Sequence, residues 1–188
     1  QVIRVQDNFV TQWGDADGDD KAKAKSIGTA KETLTPEFTR KGGKAIAVQA
    51  DVARKADIQR LFAETTTAFG RLDVLVNNAG AGQVADSEML SLADWQRIID
   101  IDLTAPFRCA QAAARPMLAA GRGVIVNVSS LVGHVGLARR AAYAAAKHGL
   151  EGLTKTLAVE WARRGVRVVS VAPAYVATEL LAGTSAAG

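Results

Sequence analysis

Tyr143 and Lys147 lie four residues apart in the segment YAAAK, and this spacing places both side chains on one face of a helix. Tyrosine ordinarily loses its proton near pH 10, and lowering that pKa by about 3 units requires roughly 4 kcal/mol of preference for the phenolate. A neighbouring ammonium group supplies part of this preference, because it stabilises the negative charge. Ser130, at the end of a predicted strand, could donate a hydrogen bond to the same substrate oxygen. The three residues together suit proton transfer to or from an alcohol or a carbonyl.

Each of these features also has an ordinary structural explanation. A tyrosine and a lysine four residues apart on a helix are more often one core aromatic residue beside one surface lysine. Ser129 and Ser130 could simply end a strand. The catalytic interpretation therefore depends on the other motifs that accompany these residues.

The elements that must position these residues alternate regularly between strand and helix from Lys44 onward. Short apolar runs predict strands, and apolar residues at helical spacing predict helices. Strands are predicted over 45–50, 72–80, 123–130 and 166–173, and helices over 56–70, over 141–164, and from a capping box formed by Ser91 and Asp94. By register, VIRV (2–5) and SIGTA (26–30) could be the first two strands.

Continuous apolar strands separated by amphipathic helices predict an α/β fold. This is a doubly wound parallel sheet with helices on both faces, three layers in all and Rossmann-like. Ligands of such sheets bind outside the carboxyl ends of the strands. The polar clusters of this sequence all follow predicted strands: Asp51, Asn77 to Gly80, Ser129 with Ser130, and Pro173 to Thr178. One ligand site at that edge of a single domain spanning 1–188 is the resulting prediction.

Composition excludes several other classes of protein. The 188 residues are 48% apolar and 22% charged, with a net charge of +4, which is typical of a globular domain. The basic residues are scattered rather than clustered, so nucleic-acid binding is not expected. No apolar run approaches the length of a membrane span, and no signal peptide is present, so we expect a cytoplasmic protein without membrane contact. The single cysteine, Cys109, is predicted to be a buried apolar residue.

Four motifs together make the sequence similar to a known family. NNAG (77–80) and DV (51–52) follow predicted strands, SSLVG precedes YAAAK at a characteristic separation, and PAYVATEL (173–180) lies near the end. With these motifs the chain resembles the short-chain dehydrogenase/reductase family, classical type, over about 42–180.

The resemblance implies specific catalytic roles. Tyr143 would be the general acid and base, Lys147 would bind the nicotinamide ribose and acidify Tyr143, and Ser130 would orient the substrate oxygen. The reaction would be hydride transfer between NAD or NADP and a small carbonyl or alcohol, as in a 3-oxoacyl reductase or another alcohol dehydrogenase. A homodimer or homotetramer would be the expected assembly, with no metal ion. The alternative is a catalytically silent structural or regulatory relative with the same fold.

The resemblance also implies which residues bind the cofactor. They are Asp51 and Val52 at the adenine, Asn78, Ala79 and Gly80 along the cofactor, Pro173, Val176 and Thr178 near the nicotinamide, and Tyr143 and Lys147 at the ribose.

Asp102 departs from the family pattern, because the fourth catalytic residue of the family is an asparagine. At about 5 Å, a carboxylate would stabilise the charge of Lys147 by up to roughly 3 kcal/mol at an effective dielectric constant of 20. It would also cancel part of the field that Lys147 exerts on Tyr143. In the family the backbone carbonyl of this residue is expected to hold a relay water, and Pro106 leaves that carbonyl without its helical N–H partner. We therefore expect reduced rather than abolished catalysis. Ala174, which replaces a glycine of the family, is a smaller departure.

The beginning of the chain departs further. Around TQWGDADGDD (11–20) a glycine-rich phosphate loop would be expected, and four aspartates stand there instead. Asp15, Asp17 and Asp19 match a calcium loop only in part, so an exposed acidic turn is the expected structure. Residues 1–36 are predicted to be an atypical leader in place of the first βαβ unit, which a frameshift, a wrong start or a divergent segment would each explain. The family's C-terminal substrate loop is expected to be missing, and Lys31 slightly favours NADP over NAD.

Three other residues received weaker interpretations. His134 could line the substrate pocket, because it follows the strand that carries Ser130. Arg139 and Arg140 are expected to be solvated loop charges.

Overall fold

The structure, a computed structural model, describes residues 2–5 and 46–174. Its four strands form one parallel sheet in the order β1-β2-β3-β4, and they are β1 (Val2–Val5), β2 (Val74–Asn77), β3 (Gly123–Val128) and β4 (Val166–Val171). Parallel strands need long crossover connections, and helices supply them between β2 and β3 and between β3 and β4. The parallel α/β architecture predicted from the sequence is confirmed.

In the described part of the chain, four helices lie between the strands: α1 (Lys55–Phe69), α2 (Leu92–Ile99), α3 (Ala105–Ala120) and α4 (Ala141–Trp161). Ser91 caps α2 as predicted, since its Oγ accepts a hydrogen bond from the backbone N–H of Asp94. Between α2 and α3 the chain does not leave the helical path but widens into a π-helical segment, Asp100–Thr104. A short 3₁₀ turn, Ala162–Arg164, ends α4, and Gly165 follows in a left-handed conformation.

One face of the sheet packs against α3 and α4. Leu75 and Ile125 on this face are completely buried, and Met117 of α3 and Leu157 of α4 belong to the same buried cluster. Cys109 also lies in this core, where burial raises the pKa of its thiol to about 12. It is therefore the buried apolar residue that the sequence predicts.

A line of polar side chains crosses this otherwise apolar core. Asn77 Nδ2 donates to Asn127 Oδ1 at 2.8 Å, and Asn127 Nδ2 donates to Thr154 Oγ1 at 2.8 Å. Buried amides are stable only when they are hydrogen-bonded. The chain of bonds therefore fixes β2, β3 and α4 in one relative position just below the carboxyl edge of the sheet.

The prediction of a strand over 45–50 is wrong. Residues 46–50 form no ladder with any described strand, although Val48 and Ala50 do pack against the core. An apolar β-branched run predicts burial of an extended segment, but a strand also needs a hydrogen-bonded neighbour along its edge. The predicted second strand (26–30), and all of the acidic leader apart from β1, lie outside the described residues.

Two glycines give a test of the turn that follows α4. Both glycines have a positive φ, which is +83° at Gly165 and +65° at Gly121. They differ in the space around them. A Cβ at Gly165 would overlap with the carbonyl oxygen of Gly121, whereas a Cβ at Gly121 would meet no atom within 4 Å. We predict that Gly165→Ala lowers the free energy of unfolding by about 3–5 kcal/mol, because strain and overlap add. Gly121→Ala, the matched control, should cost only about 1–2 kcal/mol from strain. Urea unfolding measures both, and equal losses would contradict the packing argument.

Candidate active site

Lys147 is the centre of the polar groups at the carboxyl edge of the sheet. Its side chain is about 95% buried, its Nζ donates to the carbonyl oxygen of Val128 at 3.0 Å, and the same Nζ lies 3.2 Å from Asp102 Oδ2. An ammonium group has three N–H donors. Among the described residues, one donor is hydrogen-bonded to Val128 and Asp102 Oδ2 faces the ammonium as an ion pair, so at least one donor is left for a ligand.

Tyr143 lies one helical turn before Lys147, as the spacing predicts. Helix α4 carries both residues, and Lys147 Nζ lies 5.5 Å from the centroid of the Tyr143 ring. This is within the range in which a cation is attracted to an aromatic face. The tyrosine is partly buried against the core, so its ring is held by packing while part of its surface remains exposed.

Asp102 binds two different elements through its two oxygens. Oδ1 accepts a hydrogen bond from the backbone N–H of Ala81 at 2.7 Å, and Oδ2 pairs with Lys147. The residue is fully buried, and burial raises its pKa, while Lys147, the Ala81 N–H and Arg97 act in the opposite direction. The carboxylate is thus closer to Lys147 than the 5 Å expected from the sequence, and it also joins the turn after β2 to helix α4.

The ion pair between Asp102 and Lys147 fixes the positions of the two side chains but adds little net stability to the fold. Two unit charges about 3 Å apart attract each other by about 5 kcal/mol at an effective dielectric constant near 20. Removing each ion from water costs several kcal/mol, so gain and cost nearly offset each other. Removing one partner leaves the other charge buried and unpaired, which is much more costly.

The turn after β2 lies directly over the ion pair. A Cβ placed at Gly80 would be 3.5 Å from Asp102 Oδ2 and 3.7 Å from Lys147 Nζ, so a side chain here would fill the space beside the ammonium. Asn78 Nδ2 is buried and has no hydrogen-bond partner in the described part of the chain. A polar ligand such as a dinucleotide needs free hydrogen-bond donors and a backbone that it can approach closely. Asn78 Nδ2 is such a donor, and Gly80 leaves its backbone accessible beside the Lys147 ammonium. These residues therefore fit the cofactor.

Ser130 is at the start of the loop that follows β3. Its Oγ accepts a hydrogen bond from the backbone N–H of Val132 at 3.2 Å, which leaves the hydroxyl proton free to be donated. The next residue, Leu131, donates its N–H to the carbonyl oxygen of Pro173 at 2.9 Å. The structure therefore brings the serine and the Pro173 segment together at one edge of the sheet.

The remaining predicted cofactor residues have mixed outcomes. Asp51 forms a turn in which Oδ1 accepts from the N–H of Ala53 at 2.9 Å, and its side chain pairs with Arg54 at 3.2 Å. The side chain of Val52 is buried in the core, so only its backbone could face a ligand. Val176 and Thr178 lie outside the described residues.

Arg140 is not a solvated charge, contrary to the sequence-based expectation. Its Nη1 donates to the carbonyl oxygen of Gln83 at 2.9 Å, while Arg139 pairs with Asp86 at 3.0 Å in an exposed ion pair. Arg139 has a positive φ of 63°, and its carbonyl oxygen accepts from the N–H of Ala85 at 3.1 Å. These contacts join the loop after β2 to the residues that precede Tyr143.

His134 and Glu151 form a second polar group behind the serine. His134 Nε2 lies 3.5 Å from Glu151 Oε1, and Glu151 is buried in α4. The sequence offered a signal for Glu151, since a carboxylate four residues after Lys147 shares its helix face, but this signal was not recognised. His134 was expected to line the substrate pocket, and nothing in the described residues tests that prediction.

Two negative observations complete the description of this region. Within 2–5 and 46–174, no cluster of three or more potential metal ligands exists. In the same residues, none of the helices has both the length and the apolarity to cross a membrane.

Comparisons with known proteins agree with this geometry. A family model described as short chain dehydrogenase matches residues 18–187. A 3-oxoacyl-[acyl-carrier-protein] reductase of Synechocystis sp. is 43% identical over 81% of this chain and 62% of its own length. A cyclohexanol dehydrogenase of Acinetobacter sp. is 40% identical over 81% of this chain and 61% of its own length. The chain thus spans about three fifths of the length of these relatives.

A solved structure is also similar. The crystal structure of levodione reductase superimposes with a TM-score of 0.68 and 34% identity, covering 72% of this chain and 53% of that chain. The predicted Rossmann-like fold is confirmed by this match together with the parallel sheet.

The buried ion pair gives a prediction about stability. We expect Asp102→Ala to lower the free energy of unfolding by about 3–5 kcal/mol, because it leaves the ammonium of Lys147 buried without its counter-charge. Asp86→Ala removes the same charge from the exposed pair with Arg139 and should cost less than about 1 kcal/mol. Urea unfolding of the two variants measures the difference, and similar losses would contradict the role assigned to burial.

Proposed function

The chain belongs to the short-chain dehydrogenase family, and from this premise we propose that it is an NAD(P)-dependent oxidoreductase that interconverts a carbonyl and an alcohol. The observation that carries the proposal is the Lys147 ammonium, buried beside Tyr143 with one N–H donor unused. A lysine with no role beyond the helix surface would keep its ammonium in water and would not need a buried counter-charge beside a tyrosine. The cofactor, when bound, supplies the hydride chemistry.

The proposed roles of the three residues follow from their positions. The free N–H donor of Lys147 would bind the ribose hydroxyls of the cofactor, and its charge would favour a negatively charged Tyr143 oxygen. The Tyr143 hydroxyl would give a proton to the substrate oxygen in reduction and take it back in oxidation. The free hydroxyl proton of Ser130 would be donated to the same oxygen and hold it in place.

The cofactor would lie along the carboxyl edge of β2. Asn78 Nδ2 is the unpaired donor there, Ala79 and Gly80 offer close backbone approach, and the Asp51 turn with the Val52 backbone would contact the adenine. Pro173, Val176 and Thr178 are proposed at the nicotinamide. The cofactor is NAD or NADP, and Lys31 slightly favours NADP.

The substrate class is a small secondary alcohol or its ketone, or a 3-oxoacyl thioester. The relatives support this range, since one is named as a 3-oxoacyl-[acyl-carrier-protein] reductase and another as a cyclohexanol dehydrogenase. We propose a cytoplasmic protein that assembles as a homodimer or homotetramer. In support of assembly, Val159 on α4 is 81% exposed, and Gly152 on the same helix has no atom within 4 Å of a Cβ.

Cofactor titration with variants at Tyr143 and Lys147 tests the function. NADH and NADPH are titrated by nicotinamide fluorescence, and turnover is measured with cyclohexanone and a 3-oxoacyl thioester. Tyr143→Phe keeps the ring but removes the hydroxyl, so we expect kcat to fall by about 10²- to 10⁴-fold with cofactor Kd nearly unchanged. Lys147→Met should weaken cofactor binding, whereas Lys155→Met, an exposed lysine of the same helix, should not.

The outcomes separate the two hypotheses. Binding of neither cofactor at millimolar concentration would contradict the proposal and favour a catalytically silent relative. Binding and turnover that survive Tyr143→Phe would contradict the role of the tyrosine.

Asp102→Asn tests the electrostatic effect of the aspartate. Without the carboxylate 3.2 Å from Nζ, the field of Lys147 at the Tyr143 hydroxyl is no longer partly cancelled. We expect the pH–rate profile of alcohol oxidation to move to lower pH. Asp100→Asn is the control, because this neighbouring aspartate accepts from Gln96 Nε2 at 2.9 Å instead of facing the lysine. An unchanged profile in Asp102→Asn would show that the carboxylate exerts no such effect.

A further inference from the structure

Glu151 is a buried acid that the proposed chemistry does not use. It lies in the middle of α4, four residues after Lys147, and only 5% of its surface is exposed. Glutamate is almost never buried to this degree unless its charge is paired. The residue therefore needs partners, and its contacts show what it holds together.

The carboxylate of Glu151 joins three elements. Ser170 of β4 donates its Oγ proton to Oε2 at 2.9 Å, and His134 Nε2 lies 3.5 Å from Oε1. His134 ends the serine loop, which we define as residues 129–134. One side chain of α4 is thus hydrogen-bonded to the end of the sheet and also lies beside the imidazole of the loop that carries Ser130.

The serine loop presses closely on α4 at this point. A Cβ placed at Gly133 would lie 2.9 Å from Ser129 Oγ, 3.1 Å from the carbonyl oxygen of Lys147 and 3.3 Å from Glu151 Cγ. These distances are shorter than ordinary van der Waals contact, so only glycine allows the approach. The loop therefore packs on the helical turn between Lys147 and Glu151.

The charge of Glu151 is favoured in spite of burial. Burial alone would raise the pKa of Glu151, but the nearby hydroxyls of Ser129 and Ser170 and the charges of His134 and Lys155 outweigh it and hold the pKa below its usual value. The group is therefore a carboxylate at neutral pH, and it accepts hydrogen bonds from the strand side while facing the imidazole on the loop side.

We infer that Glu151 is a positioning residue, which fixes the serine loop on α4 so that the Ser130 hydroxyl points to the same substrate oxygen as Tyr143. Ser130 lies between Ser129, whose hydroxyl is near the Glu151 carboxylate, and Gly133, which packs against the helical turn from Lys147 to Glu151. Its Oγ is held by the hydrogen bond that the Val132 N–H donates, so the position of the hydroxyl depends on the shape of the loop. This inference rests on the proposed function, but the fixation of the loop can be measured without turnover.

Three variants separate fixation of the loop from a general loss of stability. Glu151→Ala removes the carboxylate. Glu151→Gln keeps the volume and an acceptor oxygen for Ser170. Glu160→Ala, the matched control, removes the same charge from an exposed position of the same helix.

Amide hydrogen exchange of the serine loop is the readout that needs no activity. In the structure, Leu131, Gly133 and His134 donate their N–H groups to the carbonyl oxygens of Pro173, Ser130 and Leu131, respectively. We expect Glu151→Ala to speed exchange of these three amides about 10-fold or more, Glu151→Gln to speed it by less because only the charge is lost, and Glu160→Ala to leave it unchanged. Unchanged exchange in Glu151→Ala would overturn the inference, even if the chain turned over no ketone.

Kinetics test the consequence for catalysis. We expect Glu151→Ala to lower kcat by about 10- to 100-fold, since small displacements of a positioned group have effects of this size. The Kd for NADH or NADPH should change less than about 2-fold, and Glu151→Gln should recover most of kcat. Joint loss of kcat, cofactor binding and Tm that Glu151→Gln does not recover would show a general structural role and overturn the inference. A chain that binds no cofactor but shows the exchange effect would contradict the proposed function alone.

Measuring Tm over a range of pH tests whether the negative charge of Glu151 stabilises the folded protein. A carboxylate with a lowered pKa contributes stability above its unfolded pKa, near 4.5, and this contribution is lost as the pH falls through the folded value. The Tm difference between the unchanged protein and Glu151→Gln should therefore be present at neutral pH and shrink below about pH 4.5. A difference that is independent of pH would show that the charge of Glu151 does not hold the loop.

Discussion

The placement of one ammonium group governs the rest of the site. Lys147 can be buried only because Asp102 and the Val128 carbonyl oxygen receive its charge and its hydrogen bonds. Each of these partners belongs to a different part of the fold, so a buried cation fixes the end of β3, the π-helical segment and α4 relative to one another. The turn after β2 joins the same arrangement, because Ala81 donates to the other oxygen of Asp102.

A second charged group repeats this principle one helical turn further along α4. Glu151 accepts a hydrogen bond from Ser170 of β4 and faces the end of the serine loop, whereas Lys147 donates a hydrogen bond to Val128 of β3. Helix α4 therefore contacts the sheet through two buried charges of opposite sign, four residues apart. Apolar packing can slide by small amounts at little cost, whereas hydrogen-bonded charges have one favourable geometry. This difference gives the two charged side chains of α4 a defined position relative to the sheet.

The sequence predicted the parts of the molecule that depend on local patterns. Strand β3 and helix α4 begin at the predicted residues, because continuous apolar runs and helical spacing are properties of the segment itself. The pairing of Tyr143 with Lys147 follows from helix geometry in the same way. Residues 46–50 were predicted as a strand and are not one, since pairing depends on a neighbour that the segment does not encode.

Contacts between distant segments were harder to predict. The sequence indicated that Asp102 would lie near Lys147, but not that its second oxygen would bind the turn after β2. Arg140 looked like a loop charge because its partner is a backbone carbonyl 57 residues away. Glu151 differs from both, since its position relative to Lys147 was visible in the sequence and its burial was not.

The π-helical segment Asp100–Thr104 has an evolutionary consequence. Such segments behave as one residue inserted into an α-helix, and each residue of a regular helix adds about 100° of rotation. Deleting a single residue here would let α2 continue into α3 as a uniform helix, and the position of Asp102 would turn away from α4. The position of the Asp102 carboxylate beside Lys147 therefore depends on the length of this helix as much as on its amino acids. A lineage could change it by an insertion or a deletion, without exchanging any charged residue.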